Sequence, residues 1–175
     1  MHPTIERARD FADVAHEGVQ RKYTGDPYFF HVSRVACMVW THPGSTTSMV
    51  AAAFLHDILE DTDHTLLELE SKFGLKVSAL VSELTNVSKL EHPELNRAAR
   101  KRIDADRLAG ISKEAKIIKM FDRIDNLRDM GGADGGFKRL YIEESRALLS
   151  AVKDADGDLA TRLGETIDDL EDTLE

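Results

Sequence analysis

Met49-Val50-Ala51-Ala52-Ala53-Phe54-Leu55-His56-Asp57-Ile58-Leu59-Glu60-Asp61 is an apolar run that ends abruptly in an imidazole and three carboxylates. After the breaker Pro43-Gly44, Met49, Val50, Ala53 and Phe54 fall at three- and four-residue steps, which predicts a helix. His56 and Glu60 are four apart, as are Asp57 and Asp61, so the spacing puts each pair on adjacent turns of one helical face. Four such groups directly after a core-like segment are costly to bury unless something compensates, and a divalent cation would. A solvated acidic helix end is the plain alternative, and one His-Asp pair alone means little.

Working outward, the spacing is helical nearly everywhere. Ile5, Ala8, Phe11, Ala12 and Ala15 predict a first helix with Thr4 as its N-cap, and Val32, Val35, Ala36 and Val39 predict a second. Thr65-Leu66-Leu67-Glu68 has the form of a capping box, for a helix stopping near Gly74. Leu75 to Leu84 follows with apolar residues at 77, 80, 81 and 84. Pro93 suits the first turn of a helix reaching about Leu108 before Gly110, and Ser112 can cap the next, carrying Ile117, Phe121, Ile124 and Leu127. Gly131-Gly132 and Gly135-Gly136 bracket a flexible-looking loop, with helices expected over roughly 137–154 and 158–174. Strand alternation is almost absent, so the fold class is all-α. Trp40 and Cys37 are expected in the core, and histidines 2, 16, 42, 64 and 92 at the surface or at helix caps.

The 175 residues suit one domain spanning 1–175, with an acidic C-terminal helix over about 156–175. Net charge is −9, of which residues 151–175 contribute −7, whereas residues 97–128 carry an excess of +5. An acidic chain is a poor partner for nucleic acid, while a local basic segment suits a small phosphorylated ligand. A solvated helix face is the bland reading of such a charge run. One cysteine excludes an intrachain disulfide and a Cys-rich zinc site, and fits the reducing cytoplasm. No apolar run approaches the ~20 residues that span a bilayer, and the N-terminus lacks the order of a signal peptide.

Two further stretches bear on chemistry. Tyr28-Phe29-Phe30-His31 places a histidine ahead of an apolar helix, and Lys119-Met120-Phe121-Asp122-Arg123-Ile124-Asp125-Asn126 sets Asp122 beside an apolar face. Two imidazoles and two carboxylates form a mixed N/O set suited to Mn²⁺, Fe²⁺ or Zn²⁺.

The order His31, His56-Asp57, Asp122 resembles the HD metal-dependent phosphohydrolases, and within them the hydrolase domain of RelA/SpoT-type alarmone enzymes and the small alarmone hydrolases. The likeness runs over roughly residues 4–155. It includes Ala15-His16-Glu17-Gly18-Val19-Gln20-Arg21-Lys22, Pro27-Tyr28-Phe29-Phe30-His31, His56-Asp57-Ile58-Leu59-Glu60-Asp61-Thr62 and Asp122-Arg123-Ile124-Asp125-Asn126-Leu127-Arg128. The resemblance implies an HD-domain bundle of about eight to ten helices and one Mn²⁺ held by His31, His56, Asp57 and Asp122. It makes Glu60 and Asp61 the base or orienting groups for an attacking water. Arg21, Lys22 and Asn126 would line the nucleotide pocket, Arg97 and Lys101 would face the pyrophosphate, and Tyr141 would pack on the nucleoside. The implied activity is cytoplasmic removal of the 3′-pyrophosphate of (p)ppGpp, the signal of the stringent response. Alternatives are a 5′-nucleotidase, an NADPH 2′-phosphatase or a non-catalytic binding module. Two departures from the family pattern are Val32 after the metal histidine and Asp125 before the asparagine, the latter an added negative charge expected near a polyphosphate pocket.

Overall fold

In the computed structural model, residues 2–174 are described, with the side chains of all but 89 and 90. Among them are eleven α-helices and one 3₁₀ turn: nine helices of eight residues or more, and two of a single turn. The only strand-like pairing among these residues is an isolated bridge between Gln20 and Pro27. The all-α expectation holds. The chain forms two compact units, residues 1–85 and 86–175.

The first unit holds α1 (Pro3–Ala15), α2 (Tyr28–Thr41), α3 (Thr47–Leu55), α4 (Ile58–Asp61), α5 (Leu66–Phe73) and α6 (Leu75–Leu84). Helix α3 is buried from Met49 to Leu55 and packs against α1, α2 and α6, so it is the axis of this unit. Thr46 caps it by accepting from the Met49 amide at 3.2 Å. The capping box at Thr65 and Glu68 forms as its sequence predicts, and Gly74 ends α5 at φ 85°. Helix α1 is capped by His2 rather than Thr4, because Pro3 takes the first helical position and the His2 ring accepts from the Thr4 amide.

Trp40 and Cys37 are exposed, against expectation. The core face of α2 is already set by Val32, Val35, Ala36 and Val39, and residues 37 and 40 fall off that stripe.

The second unit holds α7 (Ser88–Glu91), α8 (Arg97–Ala109), α9 (Lys113–Arg128), the 3₁₀ turn Asp129–Gly132, α10 (Gly135–Val152) and α11 (Gly157–Asp172). Helix α9, capped by Ser112, is buried over most of its length against α10 and α11. Helix α8 starts later than Pro93 suggests, because the Asn96 side chain accepts from the Ala99 amide and fixes the start there. Gly135 and Gly136 are not loop but the first turn of α10, capped by Asp134 on the Phe137 amide. The expected acidic C-terminal helix is α11, and residue 175 lies outside the described residues. No helix among the described residues is long and apolar enough to cross a membrane.

Candidate metal and phosphoryl-transfer site

The first unit assembles its polar cluster where α3 ends. The spacing predicts one helix through His56-Asp57, but α3 stops at Leu55 and α4 begins at Ile58. His56 Nδ1 lies 2.8 Å from the Ala53 carbonyl, the acceptor that the Asp57 amide would reach in an unbroken helix. The break leaves Asp57 at φ −98°, ψ −2°, and its carbonyl accepts from the Glu60 and Asp61 amides.

A carbonyl only accepts, so His56 Nδ1 carries the proton and Nε2 of the neutral ring presents a lone pair. That lone pair lies 3.1 Å from Asp57 Oδ2, and His31 Nε2 lies 3.5 Å from the same oxygen. Both imidazoles are buried. Lone pairs from a ring nitrogen and a carboxylate repel at this distance unless a proton or a cation lies with them. The donor set therefore fits a borderline divalent ion, with the Nδ1–carbonyl contact fixing the ligating tautomer.

Tyr28, at the start of α2, donates its hydroxyl to that same Oδ2 at 2.7 Å. The loop before it is pinned by the Tyr28 amide on the Val19 carbonyl and the Arg21 amide on the Asp26 carbonyl, both 2.8 Å. This pinning places the Arg21 guanidinium 5.4 Å from the centre of the Tyr28 ring, while Lys22 lies over Tyr23. Glu60 and Asp61 are exposed on α4. Partial burial of the Asp61 carboxyl, then the nearby Asp57 and Glu60 charges, push its pKa up to about 6, with the Tyr28 hydroxyl opposing.

His16 departs from its expected place. It does cap α1 with its backbone, yet its ring is buried, tilted against Tyr28 at 4.8 Å, and neither ring nitrogen has a hydrogen-bond partner. Burial holds its pKa below the ordinary value. Tyr28 and His16 were both visible in the sequence as motif residues, but no spacing rule joins them to Asp57, which is far along the chain.

In the second unit, Asp122 is buried on α9 with both carboxylate oxygens engaged: Lys119 Nζ lies 2.9 Å from Oδ2, and Asn126 donates to Oδ1. Arg97 is held by Glu144 through two bonds of 2.8 and 2.9 Å and lies over Phe137. Lys101 lines a cavity of about 730 Å³ together with Lys119, Arg123 and Glu144. Burial, then Arg123 and Lys119, lower its pKa. Tyr141 lies under the Arg123 guanidinium, 4.5 Å from its ring centre, and Arg123 also donates to Ser145. Asp125, expected to border a pocket, is 2% exposed and belongs to the interior of α9.

A family model described as HD domain matches residues 8–165. The chain belongs to the HD domain family. This HD-domain chain is 41% identical over 126 residues to the Homo sapiens guanosine-3′,5′-bis(diphosphate) 3′-pyrophosphohydrolase MESH1, a match covering 70% of the chain and 67% of the relative. It is 33% identical over 165 residues to a Synechocystis protein named as a probable guanosine-3′,5′-bis(diphosphate) 3′-pyrophosphohydrolase, covering 93% of the chain but 20% of that longer protein. A solved structure, described as a metazoan ortholog of SpoT that hydrolyzes ppGpp, superimposes with a TM-score of 0.86 at 27% identity, covering 100% of this HD-domain chain and 98% of that one.

Proposed function

We propose that this chain is a cytoplasmic, Mn²⁺-dependent hydrolase that removes the 3′-pyrophosphate from (p)ppGpp-type alarmones, its two units acting as one HD hydrolase domain. The observation that carries the proposal is the convergence of His31 and His56 on Asp57 Oδ2 with the ligating tautomer of His56 fixed. The names of the relatives, and the likeness to a ppGpp hydrolase over the whole chain, give the substrate class.

His31, His56 and Asp57, with Asp122 as the fourth ligand in the family's order, hold the ion, which when bound polarises the scissile phosphate. Glu60 and Asp61 orient the attacking water and take its proton. The water oxygen joins phosphorus, the bond to the 3′-oxygen breaks, and the proton taken from water passes to that oxygen, giving pyrophosphate and a nucleoside 5′-di- or triphosphate with a free 3′-hydroxyl. Arg21, Lys22 and Asn126 line the nucleotide pocket, with Tyr141 on the nucleoside. Arg97 and Lys101 face the pyrophosphate, and the Arg97–Glu144 pair opens for it.

The test is pyrophosphate and phosphate release from ppGpp, pppGpp, the adenosine analogue, NADPH and 5′-nucleotides. Release of pyrophosphate from the alarmones is expected, abolished by EDTA and restored better by Mn²⁺ than by Mg²⁺, which prefers all-oxygen sites. Activity confined to 5′-nucleotides or NADPH overturns the substrate assignment, and full activity in excess EDTA overturns the metal dependence.

A further inference from the structure

Metal ligands need a fixed orientation, and in the first unit one side chain outside the ligand set supplies it for Asp57. The Tyr28 hydroxyl donates to Asp57 Oδ2 at 2.7 Å, the same oxygen on which His31 and His56 converge. A hydroxyl can hold its partner only as well as its own ring is held. The Tyr28 ring is edge-on to His31 at 5.5 Å, under Arg21 at 5.4 Å, and against His16 at 4.8 Å, the two rings tilted by 35°.

His16 is the unusual member. Its side chain is buried, and neither Nδ1 nor Nε2 makes a hydrogen bond. A buried imidazole normally satisfies at least one nitrogen, because leaving both without partners is costly. What this ring does make is a tilted ring contact with Tyr28.

We propose that Tyr28 is a positioning residue that fixes the orientation of Asp57, and that the His16 ring serves as the wall that fixes Tyr28. The role assigned to Asp57 rests on the metal reading above; the hydrogen bond and the ring contact do not. In this arrangement the His16 nitrogens are dispensable and its ring is not. A phenyl group should replace the imidazole, and a methyl group should fail.

Two measurements test this. The first is Mn²⁺ binding by titration in the absence of nucleotide. Tyr28→Phe should raise the Kd by about 10–100-fold, the usual effect of losing an outer hydrogen bond to a metal ligand. His16→Phe should stay within about threefold of wild type, while His16→Ala should move towards Tyr28→Phe. The second is a thermal cycle on the EDTA-treated chain with Tyr28→Phe, Asp57→Ala and the double variant. The double variant should melt above the temperature obtained by adding the two single shifts, because the shared bond is lost once.

Should His16→Ala fail to fold, His16→Phe and Tyr28→Phe still decide the matter. An unchanged Kd in Tyr28→Phe with additive melting shifts overturns the positioning role. A His16→Phe variant with as large a rise in Kd as Tyr28→Phe overturns the wall. A wild-type chain that binds no Mn²⁺ but shows the non-additive cycle overturns the metal reading and upholds the inference.

Discussion

At the scale of single residues, the site separates groups that hold an ion from groups that act on water. Asp57 lies against two imidazoles and a phenol, whereas Glu60 is one turn on and exposed. Asp57→Ala should therefore lose metal, and Glu60→Gln should keep metal while kcat falls by about 10²–10⁴-fold, the range for a general acid–base group. Metal analysis beside steady-state kinetics checks both; normal turnover in Glu60→Gln removes Glu60 from the chemistry. Asp61 offers a separate test in metal-free protein. Its folded pKa is raised towards 6, above the unfolded value, so the unfolded state ionises first and folding loses stability as pH rises from about 4 to 6. Asp61 also keeps much of its surface in water, so solvent screening keeps the effect small. Asp61→Asn in EDTA should raise the melting temperature by about 1–3 °C at pH 7.5 and leave it unchanged at pH 4. An equal shift at both pH values would show that ionisation is not the cause. The ligand types at this site were legible because their chemistry is written in residue identity and order. The hydroxyl of Tyr28 on Asp57 and the buried ring of His16 were not, because contacts between residues far apart in the chain follow no local period.

At the scale of elements, caps decided where helices begin, and the sequence offered competing signals. Pro93 is the start read from the sequence, and Asn96 takes the role in the structure because its side chain accepts from the Ala99 amide at 3.0 Å. Asn96→Ala should cost about 1 kcal/mol in urea denaturation, and Pro93→Ala should be close to neutral. The reverse ranking would place the start of α8 at Pro93. The same logic explains the glycines at 135 and 136, whose composition reads as loop but whose neighbour Asp134 caps α10 by accepting from the Phe137 amide. It also explains the unforeseen break after α3, where an imidazole competes for a backbone carbonyl. Periodicity located these helices well; side chain–backbone bonds moved their ends by a few residues.

At the scale of the molecule, the charge pattern is the feature most easily misread. Residues 151–175 carry −7 of the net −9, a composition that also describes a solvated tail. The spacing of Leu159, Leu163, Ile167 and Leu170 says otherwise, and all four are buried where α11 packs on α9 and α10. Each such side chain contributes about 1.5–3 kcal/mol on burial, so the stripe is worth a large part of the 5–15 kcal/mol that a domain typically has. The acids of α11 stay exposed, and Asp168 and Glu171 pair with Arg146 of α10 at 3.1 and 2.6 Å and add little in water. Ending the chain after Asp154 should therefore abolish cooperative unfolding of residues 86–154 through loss of apolar packing, although it brings net charge closer to zero. Replacing Glu165 and Asp169 with Lys should move the charge the same way, by +4 against the truncation's +7, and change stability by less than about 1 kcal/mol. Circular dichroism melts of the two variants decide the point: if the charge variant unfolds as readily as the truncation, α11 acts through its charge and not through its apolar face.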